Sequence, residues 1–292
     1  MVSGRPGHKT LVTLAVIPVL LLIASMAFSM DWPVENGRYN YGFGAFRGRF
    51  LPGLELPLDG SPVIAPDDGE LIFHVTGSDI LGSYPVSGDS LLVLQHNSGL
   101  LSIYSGLVPD SLTEYLKSFR KGDILGKSPQ KNAMTIAASY MFDNKDRRFI
   151  NPLILMPPLK DDKTPVLRNI ALVGEGQEYM LDSDRNIRQG SYKLVMEATD
   201  LSPGAMQSAC WEIRILIDGS EKSRVQYDAA WASGGKGYLF GSSSIAESSF
   251  FAQDGRISFG PYNFSRGRLV VTIIAMDYAQ NKREQSYSLS IF

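Results

Sequence analysis

Apolar and polar residues alternate along much of the chain, which is typical of half-buried β-strands. The alternation is clearest in four segments, which are residues 191–199, 211–217, 269–275 and 287–291. With a period of two, the apolar side chains of each segment share one face of a strand. Asp218-Gly219 directly follows the second segment and predicts a tight hairpin turn. The sequence therefore predicts a mainly β protein built from antiparallel sheets.

One short segment has the spacing of a helix instead. Residues 111–119 place apolar side chains at intervals of three and four, as on one face of a helix. Ser111 and Glu114 form the pattern of a capping box, in which each side chain satisfies a free backbone N–H group. We therefore expect one short helix at about 111–119.

The N-terminus has the features of an export segment. Residues 11–29 are apolar and uncharged, and Arg5 and Lys9 precede them. Small residues at Ala27 and Ser29 suit cleavage before Met30, but the segment is also long enough to span a bilayer uncleaved. Residues 1–29 are thus a signal peptide or a transmembrane anchor. Either way we expect an exported protein of the periplasm or cell envelope, anchored in the inner membrane if the segment is retained.

The exported part divides at a stretch rich in proline and charge. Residues 158–164 are predicted to be a linker between a β-rich domain at 30–157 and an immunoglobulin-like β-sandwich at 165–292. Two predicted strands of the sandwich end at Asp200 and Asp277, and aspartate at such positions suits a tight turn.

The amino-acid composition limits which partners and which catalytic or metal-binding groups the protein can have. The chain has 28 Lys and Arg against 30 Asp and Glu, and no basic block, so nucleic acid is not an expected partner. A single cysteine, Cys210, rules out disulfides within the chain and a Cys-rich zinc module, and we expect it to be a buried thiol. The histidines are His8, His74 and His96, which leaves few groups for metal binding or proton transfer.

Residues 43–153 carry an ordered series of short motifs. They are FGAFRGRF (43–50), GSPVIA (60–65), His96 close to Asn97 and Gly99, Tyr104 with Leu107, KGDILG (121–126) and NPL (151–153). In this order they resemble the LytM or lysostaphin-type zinc endopeptidases, which cut peptidoglycan cross-links. The resemblance implies an antiparallel β-sheet with a groove across it.

The same resemblance implies that the zinc site is degenerate. Where the family has a zinc-binding His and Asp, this sequence has Leu51 and Glu55, and Gly106 replaces the catalytic His after Tyr104. Ile136 and Ala138 stand at the two positions of the family's His-x-His motif. A catalytic zinc needs three protein ligands. We therefore expect no zinc, no other cofactor and no hydrolase activity, as in a pseudo-enzyme.

The expected function is non-catalytic. A groove containing Glu55, His96 and Tyr104 would bind peptidoglycan or help to regulate a separate cell-wall hydrolase, with the membrane as a further partner if the N-terminal segment is uncleaved. One alternative is an active peptidoglycan metalloendopeptidase with an unorthodox metal site made by Glu55, His74 and His96. The other is a purely structural envelope module.

Overall fold

A computed structural model of the protein describes residues 30–76, 90–110, 116–131, 136–232, 238–240, 245–252 and 254–292. In these ranges helix is limited to short pieces, which are α1 (Glu247–Phe250) and the 3-10 turns Glu35–Gly37 and Pro152–Ile154. The predicted mainly β, antiparallel class is confirmed. No helix in the described part of the chain is long and apolar enough to cross a bilayer. The predicted export segment, residues 1–29, lies outside the described residues.

Ten strands precede the predicted linker. They are β1 (Leu54–Glu55), β2 (Pro62–Ile64), β3 (Gly69–Thr76), β4 (Ser90–His96), β5 (Leu100–Ser105), β6 (Val108–Pro109), β7 (Ser118–Phe119), β8 (Ile124–Lys127), β9 (Ala138–Asp143) and β10 (Arg148–Ile150).

The remaining strands follow the linker. They are β11 (Val166–Gly174), β12 (Gln177–Met180), β13 (Asn186–Ile187), β14 (Gly190–Leu201), β15 (Gln207–Ala209), β16 (Glu212–Ile217), β17 (Ser220–Gln226), β18 (Ala229–Ala232), β19 (Tyr238–Phe240), β20 (Ile245–Ala246), β21 (Ile257–Phe264), β22 (Gly267–Met276) and β23 (Lys282–Ile291).

The largest sheet has the strand order β20-β19-β18-β10-β9-β5-β4-β3-β7, and β1 also pairs with β9. Every pairing in it is antiparallel. Strand β4 is an almost continuous apolar run and is buried at all but one residue, as expected for a strand covered on both faces. A separate small sheet has three strands in the order β2-β8-β6.

Two further five-stranded sheets, which are together called the sandwich below, contribute to one hydrophobic cluster. One has the order β12-β11-β14-β15 with β21 beside β14, and the other has the order β13-β23-β22-β16-β17. The four alternating segments of the sequence lie in β14, β16, β22 and β23, and their inward residues, such as Leu194, Ile213 and Ile273, share one hydrophobic cluster. The predicted turn at Asp218-Gly219 joins β16 to β17, and its φ angles of 51° and 77° are those of a primed hairpin turn.

Strand pairing crosses the predicted linker. β18, from the C-terminal part, pairs with β10, which brings Ala230 opposite Phe149. The side-chain amide of Asn151 donates to the carbonyl of Tyr227 at 2.7 Å. The C-terminal part therefore extends the sheet that the N-terminal part begins, while the domain boundaries themselves stay a prediction.

The predicted helix at about 111–119 needs correction at its C-terminal end. Residues 111–115 lie outside the described residues, but Ser118 and Phe119 form β7 and pair with Glu70 and Gly69 of β3. Phe119 is buried in a hydrophobic cluster of the N-terminal part. Pairing with β3 and burial of this ring outweigh the local helical pattern.

Candidate functional site

Three neighbouring strands bring two of the predicted positions side by side. Glu55 of β1 lies directly opposite Ala138 of β9, and Ala138 lies opposite Ser105 of β5. Residues paired directly in antiparallel strands point their side chains to the same face of the sheet. The Glu55 carboxylate is therefore next to the small side chain of Ala138, where the resemblance places a zinc-binding histidine.

The Glu55 carboxylate is paired with an arginine. Arg47 Nη1 donates to Glu55 Oε2 at 2.7 Å, and the two side chains are 48% and 7% exposed. The guanidinium also lies over the ring of Tyr41, 4.6 Å from its centroid. Charge-assisted hydrogen bonds of this kind are among the strongest in proteins. The negative charge of the buried carboxylate is thus balanced from within the chain.

The loop that carries Arg47 is held at both ends. Near Glu55, the Glu55 N–H donates to the Tyr41 carbonyl at 2.9 Å. On the other side, the ring of Phe46 stacks on Phe251 with centroids 4.4 Å apart, and the Phe50 N–H donates to Glu247 Oε1 at 2.8 Å. Since Glu247 and Phe251 belong to the C-terminal part, that part helps to position the arginine.

The other predicted family positions supply no ligand atoms. Leu51 packs against the main hydrophobic cluster, and Ile136 is half-buried. Gly106 has a φ of 69°, and its N–H donates to the Ser90 carbonyl at 3.0 Å. This left-handed conformation favours glycine and would strain a histidine side chain at the same position.

His96 is a buried residue with both ring nitrogens bonded. Nδ1 lies 2.8 Å from the Asp68 carbonyl, and Nε2 lies 2.8 Å from Ser102 Oγ. The nitrogen that faces the carbonyl donates to it, and the hydroxyl can either donate to or accept from the other nitrogen. Its bonding requirements are met within the protein.

Tyr104 and His74 lie away from Glu55. Tyr104 is opposite Ser139, the residue after Ala138, so its side chain points to the other face of the sheet. It is fully buried, and burial raises the pKa of its phenol well above the usual range. His74 is half-buried on β3. Glu55, His74 and His96 do not form a metal-binding group in the described part of the chain.

A second group of acidic side chains was not singled out as a site from the sequence. Asp161, Asp200 and Asp277 each place a carboxylate oxygen within 4.8 Å of the others. Asp161 and Asp200 border a cavity of about 410 Å³ at the junction of the linker and the sandwich. The sequence contains a signal for this group, which is the pair of aspartates at two strand ends together with an acidic linker. Tight turns and a linker explain the same residues without a site, so the signal is weak.

Comparisons with known proteins add little to this description of the site. A protein-family model that carries no description matches residues 164–292, less than half of the chain. A comparison with curated proteins finds no match. Among solved structures, the chain is similar to an NMR solution structure of lysostaphin, with 15% identity over 90% of this chain and 97% of that one, and a TM-score of 0.34. A likeness this remote carries no argument about the site.

Proposed function

We propose that this protein is a non-catalytic component of the cell envelope, with a degenerate LytM-type, peptidase-like part followed by an immunoglobulin-like sandwich. Its function is to bind peptidoglycan or to regulate a separate cell-wall hydrolase. The observation that supports this best is the ion pair of Arg47 with Glu55. It lies where the sequence motifs place one side of the family's zinc site.

The ion pair competes directly with a metal. Arginine stays protonated at any physiological pH, so a zinc ion could bind the Glu55 carboxylate only by displacing the guanidinium. The remaining ligands would have to come from Leu51, Gly106, Ile136 and Ala138, which have no side-chain donor atoms. A catalytic zinc needs three protein ligands and an open position for water, and this set offers one carboxylate that is already paired.

The same pair suggests which chemical group a ligand would present. Arg47 is half-exposed whereas Glu55 is nearly buried, so a ligand reaches the guanidinium first. Guanidinium groups bind carboxylates with favourable, often bidentate geometry. A peptide of the cell wall that carries a free carboxylate is therefore a better fit than an amine, and Glu55 serves to orient Arg47.

The proposal is tested with purified sacculi and the full chain in detergent. We expect the protein to sediment with sacculi and to release no muropeptides, with zinc or with a chelator. Arg47→Ala should weaken sedimentation by about tenfold or more, because it removes a charged hydrogen-bond donor. Arg49→Ala is the matched control, since Arg49 is an exposed arginine two residues away.

Two results contradict the proposal in different ways. Zinc-dependent release of muropeptides indicates the metalloendopeptidase alternative. If the wild-type protein neither binds sacculi nor changes the rate of any added cell-wall hydrolase, the purely structural alternative is favoured.

A further inference from the structure

The junction between the linker and the sandwich concentrates negative charge. Asp161 comes from the linker, Asp200 from the end of β14 and Asp277 from the residue after β22. They thus join the linker to both sheets of the sandwich, and an oxygen of each lies within 4.8 Å of the others. Three carboxylates this close repel one another unless a cation or protons reduce their charge.

No side-chain cation of the described residues forms an ion pair with these carboxylates. Lys163 borders the cavity, but its backbone N–H, and not its ammonium group, contacts Asp161, at 2.9 Å. Asp277 is 1% exposed and accepts hydrogen bonds from the backbone and the side-chain amide of Asn281, both at 2.8 Å. These neutral donors hold the carboxylate in place without balancing its charge.

Among the residues that the structure describes, two polar groups at the cluster have no hydrogen-bond partner. Asp200 Oδ1 is fully inaccessible to water and accepts no hydrogen bond. Tyr39, which lines the same cavity, is only 9% exposed, and its hydroxyl makes no hydrogen bond within the described residues. Burial and the three carboxylates raise the pKa of its phenol well above the usual range. Its ring is fixed by stacking on Trp32, with centroids 6.0 Å apart. Buried polar groups are normally paired, so an unpaired phenol beside unpaired carboxylate oxygen indicates a ligand.

We propose that Asp161, Asp200 and Asp277 bind a calcium ion. Calcium prefers carboxylate and carbonyl oxygens at about 2.4 Å, so two oxygens bound to one ion are at most about 4.8 Å apart, a limit that the oxygens of this cluster meet. The group contains no histidine or thiolate, which zinc would favour. The Tyr39 hydroxyl donates to a water molecule on the ion.

The proposal gives the ion a structural role. By joining one linker carboxylate to one carboxylate from each sheet, it fixes the linker against the sandwich. The ion would supplement an existing contact between linker and sandwich, in which the Asn281 side chain donates to the Asp161 carbonyl at 3.1 Å. The site does not depend on the proposed function, because it shares no residue with the Arg47–Glu55 pair.

The test uses the full chain in detergent, first treated with a chelator and then titrated with calcium chloride. We expect the midpoint of thermal unfolding to rise by roughly 5–10 °C when calcium reaches a hundred times its dissociation constant. Terbium, a luminescent substitute for calcium, should be sensitised by Trp32, Tyr39 and Trp211, which line the cavity. Added calcium should then quench that emission.

Two variants remove ligands from the site. Asp200→Asn and Asp161→Asn should abolish the calcium shift and the terbium signal. In chelator neither variant should unfold earlier than wild type, because each loses a repelling charge. Glu221→Gln, an exposed acid on β17, is the matched control and should respond as wild type.

Three outcomes overturn the proposal. They are the absence of a calcium response in the wild-type chain, an unchanged response in both aspartate variants, and an equal or larger response to magnesium chloride. If Asp200→Asn does not fold, Asp161→Asn alone decides, since Asp161 is on the partly exposed linker.

Discussion

Glu55 and Asp200 are both acids with little access to water, but their surroundings are opposite. Glu55 has the Arg47 guanidinium at 2.7 Å. Asp200 instead has Asp161 and Asp277 within 4.8 Å. Burial, with a further contribution from these two carboxylates, raises the pKa of Asp200 to about 7. A carboxylate next to a cation keeps its charge easily, whereas one next to other carboxylates does so only at a cost.

The contrast shows where an open binding site is to be sought. The motifs of the sequence direct attention to Glu55, but the chain itself fills that position with a positive charge. Nothing in the motifs points to Asp200, which forms no ion pair within the described residues and has only the more distant Lys163 as a positive charge. In this protein a missing counter-charge is therefore better evidence for a cation site than a family motif.

The largest effect is expected from breaking the balanced pair. Arg47→Met keeps most of the packing of the side chain but leaves the Glu55 carboxylate buried without a cation. We expect a loss of about 2 kcal/mol in the free energy of unfolding, measured by urea denaturation. Adding Glu55→Gln should restore more than half of that loss, since the amide carries no charge.

The control for this prediction is Arg49→Met, which should change stability by no more than about 0.5 kcal/mol. If Arg47→Met is as harmless as the control, the ion pair contributes nothing to stability and the contrast with Asp200 is lost.

His96 extends the comparison to a third buried polar residue. Both of its ring nitrogens are bonded at 2.8 Å, so it belongs with Glu55 among the groups satisfied within the chain. His96→Leu leaves the Asp68 carbonyl and the Ser102 hydroxyl without this partner and should cost about 1–2 kcal/mol. His74→Leu is the matched control and should cost less. The reverse order would mean that His74 is the structural histidine.

The sequence was sufficient for features that depend on local pattern. The strands β14, β16, β22 and β23 could be predicted because the alternation of their side chains reports which face is buried. The turn at Asp218-Gly219 could be predicted because few residues adopt positive φ angles easily. The helix at about 111–119 shows the limit of the method, since the pairing of Phe119 with β3 depends on residues far away in the sequence.

The candidate sites depend on contacts of longer range. Arg47 belongs to no ligand motif, and only the folded loop brings it to Glu55. Strands β11 to β22 lie between Asp161 and Asp277 in the sequence, and each of the two residues could be explained alone as a linker or turn residue. The pairing of β18 with β10 was not predicted either, because β18 has only four residues and its pattern does not specify a partner.

A smaller effect, of opposite sign, is expected from Asp200→Asn in the presence of a chelator. The pKa of Asp200 is about 7 in the folded chain and about 3.9 in an unfolded one. Between these values the folded chain holds more protons, so the contribution of Asp200 to stability falls as the pH rises. The asparagine variant has no carboxyl group to ionise at this position, so its stability does not fall in this way. Its unfolding midpoint should exceed that of wild type by roughly 2–4 °C at pH 8.

The same comparison at pH 4.5 should show almost no difference, because Asp200 is then protonated in the folded chain. Glu221→Gln should follow wild type at both pH values. An equal gain at both pH values would mean that the substitution acts through packing and not through the charge of Asp200.

The smallest effect is expected from Glu55→Gln on metal content. Because the carboxylate is already paired with Arg47, removing its charge should leave the amount of zinc bound after dialysis unchanged, as measured by atomic emission on the full chain. The metalloendopeptidase alternative makes the opposite prediction, which is stoichiometric zinc in the wild type and its loss in this variant. Repeating the measurement with Arg47→Met sharpens the result. If freeing the Glu55 carboxylate still recruits no zinc, the missing histidines and not the arginine are what prevent a metal site.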